Sequence, residues 1–96
     1  MSKKATRACD VKTFTDIPNI GPAIAGDFAQ LGISTHAALC KKDAFTLYKK
    51  LCQVTGVRHD PCVLDTFLAA IDFMNGAPVR PWWSYTKERK HNYPNI

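Results

Sequence analysis

The chain predicts an all-α fold, a compact helical domain of about five helices in 96 residues. Three observations carry that expectation. Nowhere do apolar and polar residues alternate with the period of two that a half-buried strand requires. Apolar residues recur instead at helical spacing, in segments opened by a capping residue or a proline and closed by proline or glycine. Between two of these segments stands Ile17-Pro18-Asn19-Ile20-Gly21-Pro22, a tight turn that folds one helix back on the next.

Taken in order, Asp10 is placed to cap a short first helix with Val11, Phe14 and Ile17 on one side, and Pro18 stops it. Pro22 opens the second helix in its first turn, where a missing N–H costs nothing. Its stripe is Ile24, Ala25, Phe28 and Leu31, and Gly32 suits the left-handed position that ends it. Ser34 caps a single turn over Thr35 to Leu39. Asp43 caps a helix running to Thr55, with Ala44, Leu47, Tyr48, Leu51 and Cys52 inward, Lys49 and Lys50 outward, and Gly56 as its stop. Asp60-Pro61 opens the longest helix, whose stripe is Val63 or Leu64, Phe67, Leu68, Ile71 and Met74. Asn75-Gly76-Ala77-Pro78 closes it. From Val79 the chain reads as irregular, with at most one helical turn after Ser84 and a mobile end beyond Lys90. The organisation is a basic arm over residues 1–9, a helical domain over 10–79 and an aromatic, basic tail over 80–96.

One domain of this length buries roughly 60–65% of the surface of its unfolded chain. No apolar run approaches the ~20 residues of a membrane span, so no membrane partner is expected. The charged start, Met1-Ser2-Lys3-Lys4, lacks the apolar stretch of a signal peptide. A cytoplasmic protein with Cys9, Cys40, Cys52 and Cys62 reduced is the expectation. The net charge of +5 is unevenly spread: residues 1–9 and 80–96 carry +3 each, and residues 10–79 carry −1. Phosphate affinity grows with the number of cations brought to the backbone, so the near-neutral body needs its ends to hold a polyanion.

The turn and its sequel, Ile17-Pro18-Asn19-Ile20-Gly21-Pro22-Ala23-Ile24-Ala25 with Phe28, Leu31, Gly32 and Ile33, resemble the helix-hairpin-helix motif of DNA-binding and repair proteins. One position departs from it. Asn19 stands where the motif has its first glycine, and asparagine tolerates positive φ better than other non-glycine residues. Leu51-Cys52-Gln53-Val54-Thr55-Gly56-Val57 followed by Asp60-Pro61-Cys62 looks like a degenerate second hairpin, which implies a SAM-like, tandem helix-hairpin-helix arrangement. The wider order also resembles the bacterial pathogenicity-locus family, some of whose members are described as mitomycin resistance proteins. It comprises Leu31-Gly32-Ile33, Leu47-Tyr48-Lys49-Lys50-Leu51-Cys52, Asp60-Pro61-Cys62-Val63-Leu64-Asp65-Thr66-Phe67 and Pro81-Trp82-Trp83. The likeness covers roughly residues 14–85 and implies a helix-hairpin-helix domain of poorly defined role, linked to DNA repair or drug resistance.

The first N–H groups of a helix have no acceptor within it and attract phosphate. The candidate DNA-binding residues are therefore Asn19, Ile20, Gly21, Pro22, Ala23 and Ile24 at the hairpin, with Lys49, Lys50 and Arg58 of the second hairpin adding charge. The resemblance leaves room for a monovalent cation at the hairpin carbonyls; no other cofactor is expected. Against strong binding, no lysine or arginine follows Pro22 in the first turn, and Asp27 comes next. Gly26 implies close packing of a neighbouring helix or of a DNA backbone. Cys40, Cys52, His59 and Cys62 lack the tight cysteine pairs of structural zinc sites, so no metal site is expected. Trp82 and Trp83 read as a cover over the end of a small core, with a stacking platform for unpaired bases as the other reading. No paired-carboxylate, Ser-His-Asp or H-x-x-x-H pattern is present, so the chain is expected not to be an enzyme. The function expected is weak, non-sequence-specific DNA binding by an accessory protein. The alternative is a protein–protein interaction module with the same fold and no DNA contact.

Overall fold

Local signals position the helices of the computed structural model, which describes residues 4–94 and 96. Helix α1 spans Pro22–Gln30, α2 Ala44–Thr55, α3 Pro61–Met74 and α4 Thr86–Asn92, with no strand among the described residues. Short 3-10 turns, Ala8–Asp10, Phe14–Asp16, His36–Lys41 and Trp82–Tyr85, complete the all-α architecture. Lys3, counted in the basic arm, lies outside the described residues. The caps of α2 and α3 fall where the side chains predict them, whereas Ser34 caps nothing: its turn begins at His36, preceded by Thr35 with no side-chain cap bond. The Asp43 carboxylate accepts the Thr46 N–H at 2.9 Å, and that of Asp60 accepts the Cys62 N–H at 2.9 Å. Each such cap is worth about 1 kcal/mol. Gly32, at φ 78°, ends α1 in the left-handed conformation, so that the Ile33 N–H reaches the Phe28 carbonyl at 3.0 Å. Ile33 and Phe28 are both buried, which gives this helix end the apolar contact that commonly accompanies it.

The segment before the turn differs from the expected helix. Asp10 caps nothing; it pairs with the exposed Arg7. Two 3-10 turns stand in place of one α-helix, because Pro18 holds Ile17 extended at φ −71°, ψ 131° and leaves too few residues to propagate a helix. The Asp16 carboxylate closes the second of these turns by accepting the N–H groups of Lys12 and Thr13 at 3.0 and 3.1 Å. Those two bonds hold its pKa below the usual carboxylate value. Val11 and Ile17 still reach the core, and Phe14 meets the Phe28 ring at 5.2 Å.

Helix α3 is the hub. Beyond its expected stripe it also buries Asp65, Thr66, Ala69, Ala70 and Phe73, so nearly its whole circumference is enclosed. On one side lie α2 and the His36–Lys41 turn; on another lie the Trp82–Tyr85 turn and α4. The tail read as irregular is therefore ordered and helical. Asp65, fully buried, accepts from the Arg89 guanidinium at 2.9 Å and from the Thr86 hydroxyl at 2.7 Å. A second Arg89 nitrogen reaches the same carboxylate at 3.3 Å. Arg89 is thus a structural residue, and its charge is neutralised inside the protein. Beyond Lys90, Tyr93 stacks on Phe45 at 4.3 Å between ring centres, and Ile96 packs against the core.

Candidate nucleic-acid interface

Pro18 and Asn19 form the centre of a four-residue turn closed by the Ile20 N–H on the Ile17 carbonyl at 3.1 Å. Asn19 has φ 73°, the left-handed value found at the third residue of a type II turn. The departure from glycine is accommodated as the sequence suggested. Its side chain does something glycine could not do. The Asn19 amide donates to the Arg80 carbonyl at 2.8 Å and accepts the Trp82 N–H at 3.3 Å. The turn and the C-terminal segment are thereby fastened to each other.

The mouth of α1 follows at once. The side chains of Pro22 and Ala23 are exposed, whereas Ile20 is fully buried and anchors the turn from beneath. The Ala25 N–H bonds to the Gly21 carbonyl at 3.0 Å, starting the helix. The N–H groups of Gly21, Ala23 and Ile24 find no acceptor among the described residues. On the carbonyl side, the Lys4 ammonium donates to the backbone oxygens of Thr15 and Ile20. The arm that carries Lys4 is held by the Ala5 N–H on the Asp16 carbonyl at 2.8 Å.

Among the described residues the cations chosen from the sequence make no hydrogen bond or ion pair to residues 19–24. Lys49 lies with its ammonium 5.0 Å from the Phe45 ring centre, on the ring that stacks against Tyr93. Lys50 and Arg58 are exposed, and neither makes a hydrogen bond or ion pair to residues 19–24 among the described residues. Arg80, joined to Asn19 through its carbonyl, places its guanidinium 4.2 Å from the Tyr85 ring centre and 3.8 Å from Glu88. The cation that reaches the hairpin is Lys4, which sequence reasoning left in a generic basic arm.

Asp27 is half-buried; burial raises its pKa, and the nearby charge of His59 opposes that rise. The acid therefore lies near the loop between α2 and α3. There the Tyr48 hydroxyl donates to the His59 carbonyl, and the His59 ring hydrogen-bonds the Thr55 hydroxyl at 2.8 Å. Val54 and Val57 stand out from this loop, 52% and 56% exposed. Cys52 accepts the His59 N–H at 3.4 Å, while Cys40 donates to the Met74 carbonyl at 3.1 Å. Among the described residues no three His, Cys, Asp or Glu side chains group as metal ligands. The two tryptophans differ in burial: Trp82 is half-buried, and Trp83 stands against it edge-on with 63% exposure. Gly26 is exposed, and a Cβ there would meet nothing within 4 Å. Packing of a neighbouring helix within this chain does not explain it.

The family model described as pathogenicity locus matches residues 7–91. The chain belongs to the pathogenicity-locus family. It is 42% identical over 81 residues to the mitomycin resistance protein McrB of Streptomyces lavendulae, an alignment covering 84% of this chain and 77% of that protein. No solved structure gives a significant match. The pathogenicity-locus match takes in the Asn19 turn, Asp65 and Arg89, and begins after Lys4. No helix among the described residues is long and apolar enough to cross a membrane.

Proposed function

We propose that this chain is a DNA-binding accessory protein without catalytic activity, which seats a backbone phosphate on the mouth of α1 in helix-hairpin-helix fashion. One observation carries the reading: the N–H groups of Gly21, Ala23 and Ile24 stand together at the start of α1, where Pro22 and Ala23 are exposed, and find no acceptor among the described residues. Such groups, with the positive end of the helix dipole behind them, favour an oxyanion. Backbone donors read no base, so binding is independent of sequence. The body over residues 10–79 carries a net charge of −1, so binding is weak. The name of the Streptomyces lavendulae relative supports a place in drug resistance.

A duplex titration followed by amide shifts at several salt concentrations tests this. Shifts centred on residues 19–25 and an affinity falling steeply with salt are expected. Shifts confined to residues 80–96, or binding indifferent to salt, would overturn it. In that event the second reading, a protein-interaction module, draws on exposed Val54 and Val57 beside Arg58 at the second hairpin.

A further inference from the structure

We infer that Lys4 is the resident cation of the first hairpin, doing covalently what a free monovalent ion would otherwise do there. The carbonyl oxygens of Thr15 and Ile20 come from opposite sides of the turn and converge on one ammonium. Two carbonyl dipoles aimed at one point need positive charge between them. A lysine ammonium is a compact point charge that meets the need with directed hydrogen bonds. A free monovalent ion does not fit the same oxygens, because it would lie against the ammonium with like charge and no screening water between them. The expectation of an ion at the hairpin carbonyls is therefore replaced by a tethered one.

The arm is built to deliver that charge. Ala5 is pinned to Asp16 through its N–H at 2.8 Å, Ala5 and Ala8 pack on the core, and Val11 is buried. Lys4 thus has only a side chain to immobilise, whereas a free ion is held at equilibrium with solvent. In the trans Ile20–Gly21 peptide the carbonyl that Lys4 holds points away from the Gly21 N–H, so the ammonium and the unaccepted donor lie on opposite sides of one peptide unit. An ammonium has three N–H bonds, two of which go to Thr15 and Ile20. The third is available to an oxyanion on the ammonium's own side of that peptide, a different one from any seated on the Gly21 N–H. This last point rests on the DNA reading above; the tethered cation does not.

The experiment separates the two. Amide spectra of the full chain without DNA are recorded in potassium, sodium and choline chloride at equal ionic strength. The wild type is expected to give the same shifts for residues 15–21 in all three salts, and Lys4→Met is expected to move those amides. A saturable potassium response in the wild type would overturn the tethered cation, as would a Lys4→Met spectrum unchanged over residues 15–21. With a DNA duplex, Lys4→Met is expected to weaken binding for every sequence and to reduce the slope of log affinity against log salt by about 1. An unchanged slope in a variant that still binds removes the third donor and leaves the tethered cation standing. Absence of binding by the wild type removes the DNA reading alone.

Discussion

Residues 14–32 hold their shape mainly through bonds that close within a few residues: Asp16 on Lys12 and Thr13, Ile20 on Ile17, Ile33 on Phe28. Residues 80–93 hold theirs through partners far away in sequence: Asn19 at a separation of 61 residues, Asp65 at 24, and Phe45 through a stacked ring. The first region is a local backbone device braced by one lysine. The second is ordered only because the rest of the fold presents a buried carboxylate, an asparagine amide and a ring face to receive it. The two regions should therefore fail differently. Damage to the hairpin stays in the hairpin, whereas loss of one long-range partner should release a whole segment.

The severest break is at the Asp65–Arg89 pair. Arg89→Met leaves Asp65 fully buried without its cation, and removing one partner of such a pair costs about 3–5 kcal/mol. Chemical denaturation should show that loss. Exchange protection should disappear across residues 82–92 while α2 retains its own. Asp65→Leu combined with Arg89→Met should recover much of the stability, because the uncompensated charge is then gone. A single variant as stable as the wild type would mean that the C-terminal segment is not held by the pair.

Alkaline pH tests the same segment from another side. Tyr85 is buried, and burial, with Asp72 nearby, pushes its pKa from the ordinary 10 up to about 12. The folded state therefore keeps a proton that the unfolded chain releases, so the contribution is full below pH 10 and is lost as pH rises towards 12. A shift of that size corresponds to at most about 2–3 kcal/mol. Tyr85→Phe should flatten the fall in stability between pH 10 and 12 relative to the wild type.

Asn19 belongs to both regions, and its variants sharpen the contrast. Asn19→Ala places an ordinary side chain at positive φ, which costs about 1–2 kcal/mol, and also deletes the two bonds to Arg80 and Trp82. Asn19→Gly keeps the turn relaxed and deletes only the bonds, each worth about 0.5–1.5 kcal/mol. Thermal unfolding should rank wild type above Asn19→Gly and Asn19→Gly above Asn19→Ala. If glycine equals the wild type, the amide does not fasten the tail.

Legibility followed the same division. Helices α1, α2 and α3 were readable because each start and stop is written in adjacent residues: Pro22 and Gly32, Asp43 and Gly56, Asp60 and Asn75. Positive φ at Asn19 was readable from the motif the segment resembles, which has glycine at that position. Its hydrogen bonds to Arg80 and Trp82 were not, since no local rule connects positions so far apart. Arg89 looked like one more surface cation because its partner lies a helix away. A sign of it was present all the same. Phe73, Ala69 and Ala70 lie off the main stripe of α3, and a helix apolar on a second face implies another element to cover it. Lys4 was hidden for a different reason: a lysine that donates to backbone oxygens leaves no pattern in the partner side chains.

The outer face of α1 is the mildest probe, because no described residue packs against Gly26 there. Gly26 sits there in mid-helix with open space where a Cβ would go. Glycine at such a position lowers stability by about 0.5–1 kcal/mol relative to alanine, through the freedom it loses on folding. Gly26→Ala should therefore raise the thermal midpoint, and the gain should appear without any change in the C-terminal segment. The same variant examines what approaches the face from outside. A methyl group added there would hold off a DNA backbone or a partner chain lying close against α1. Greater stability together with weaker duplex binding would place the ligand on this face. Greater stability with unchanged binding would confine contact to the mouth at Gly21, Ala23 and Ile24.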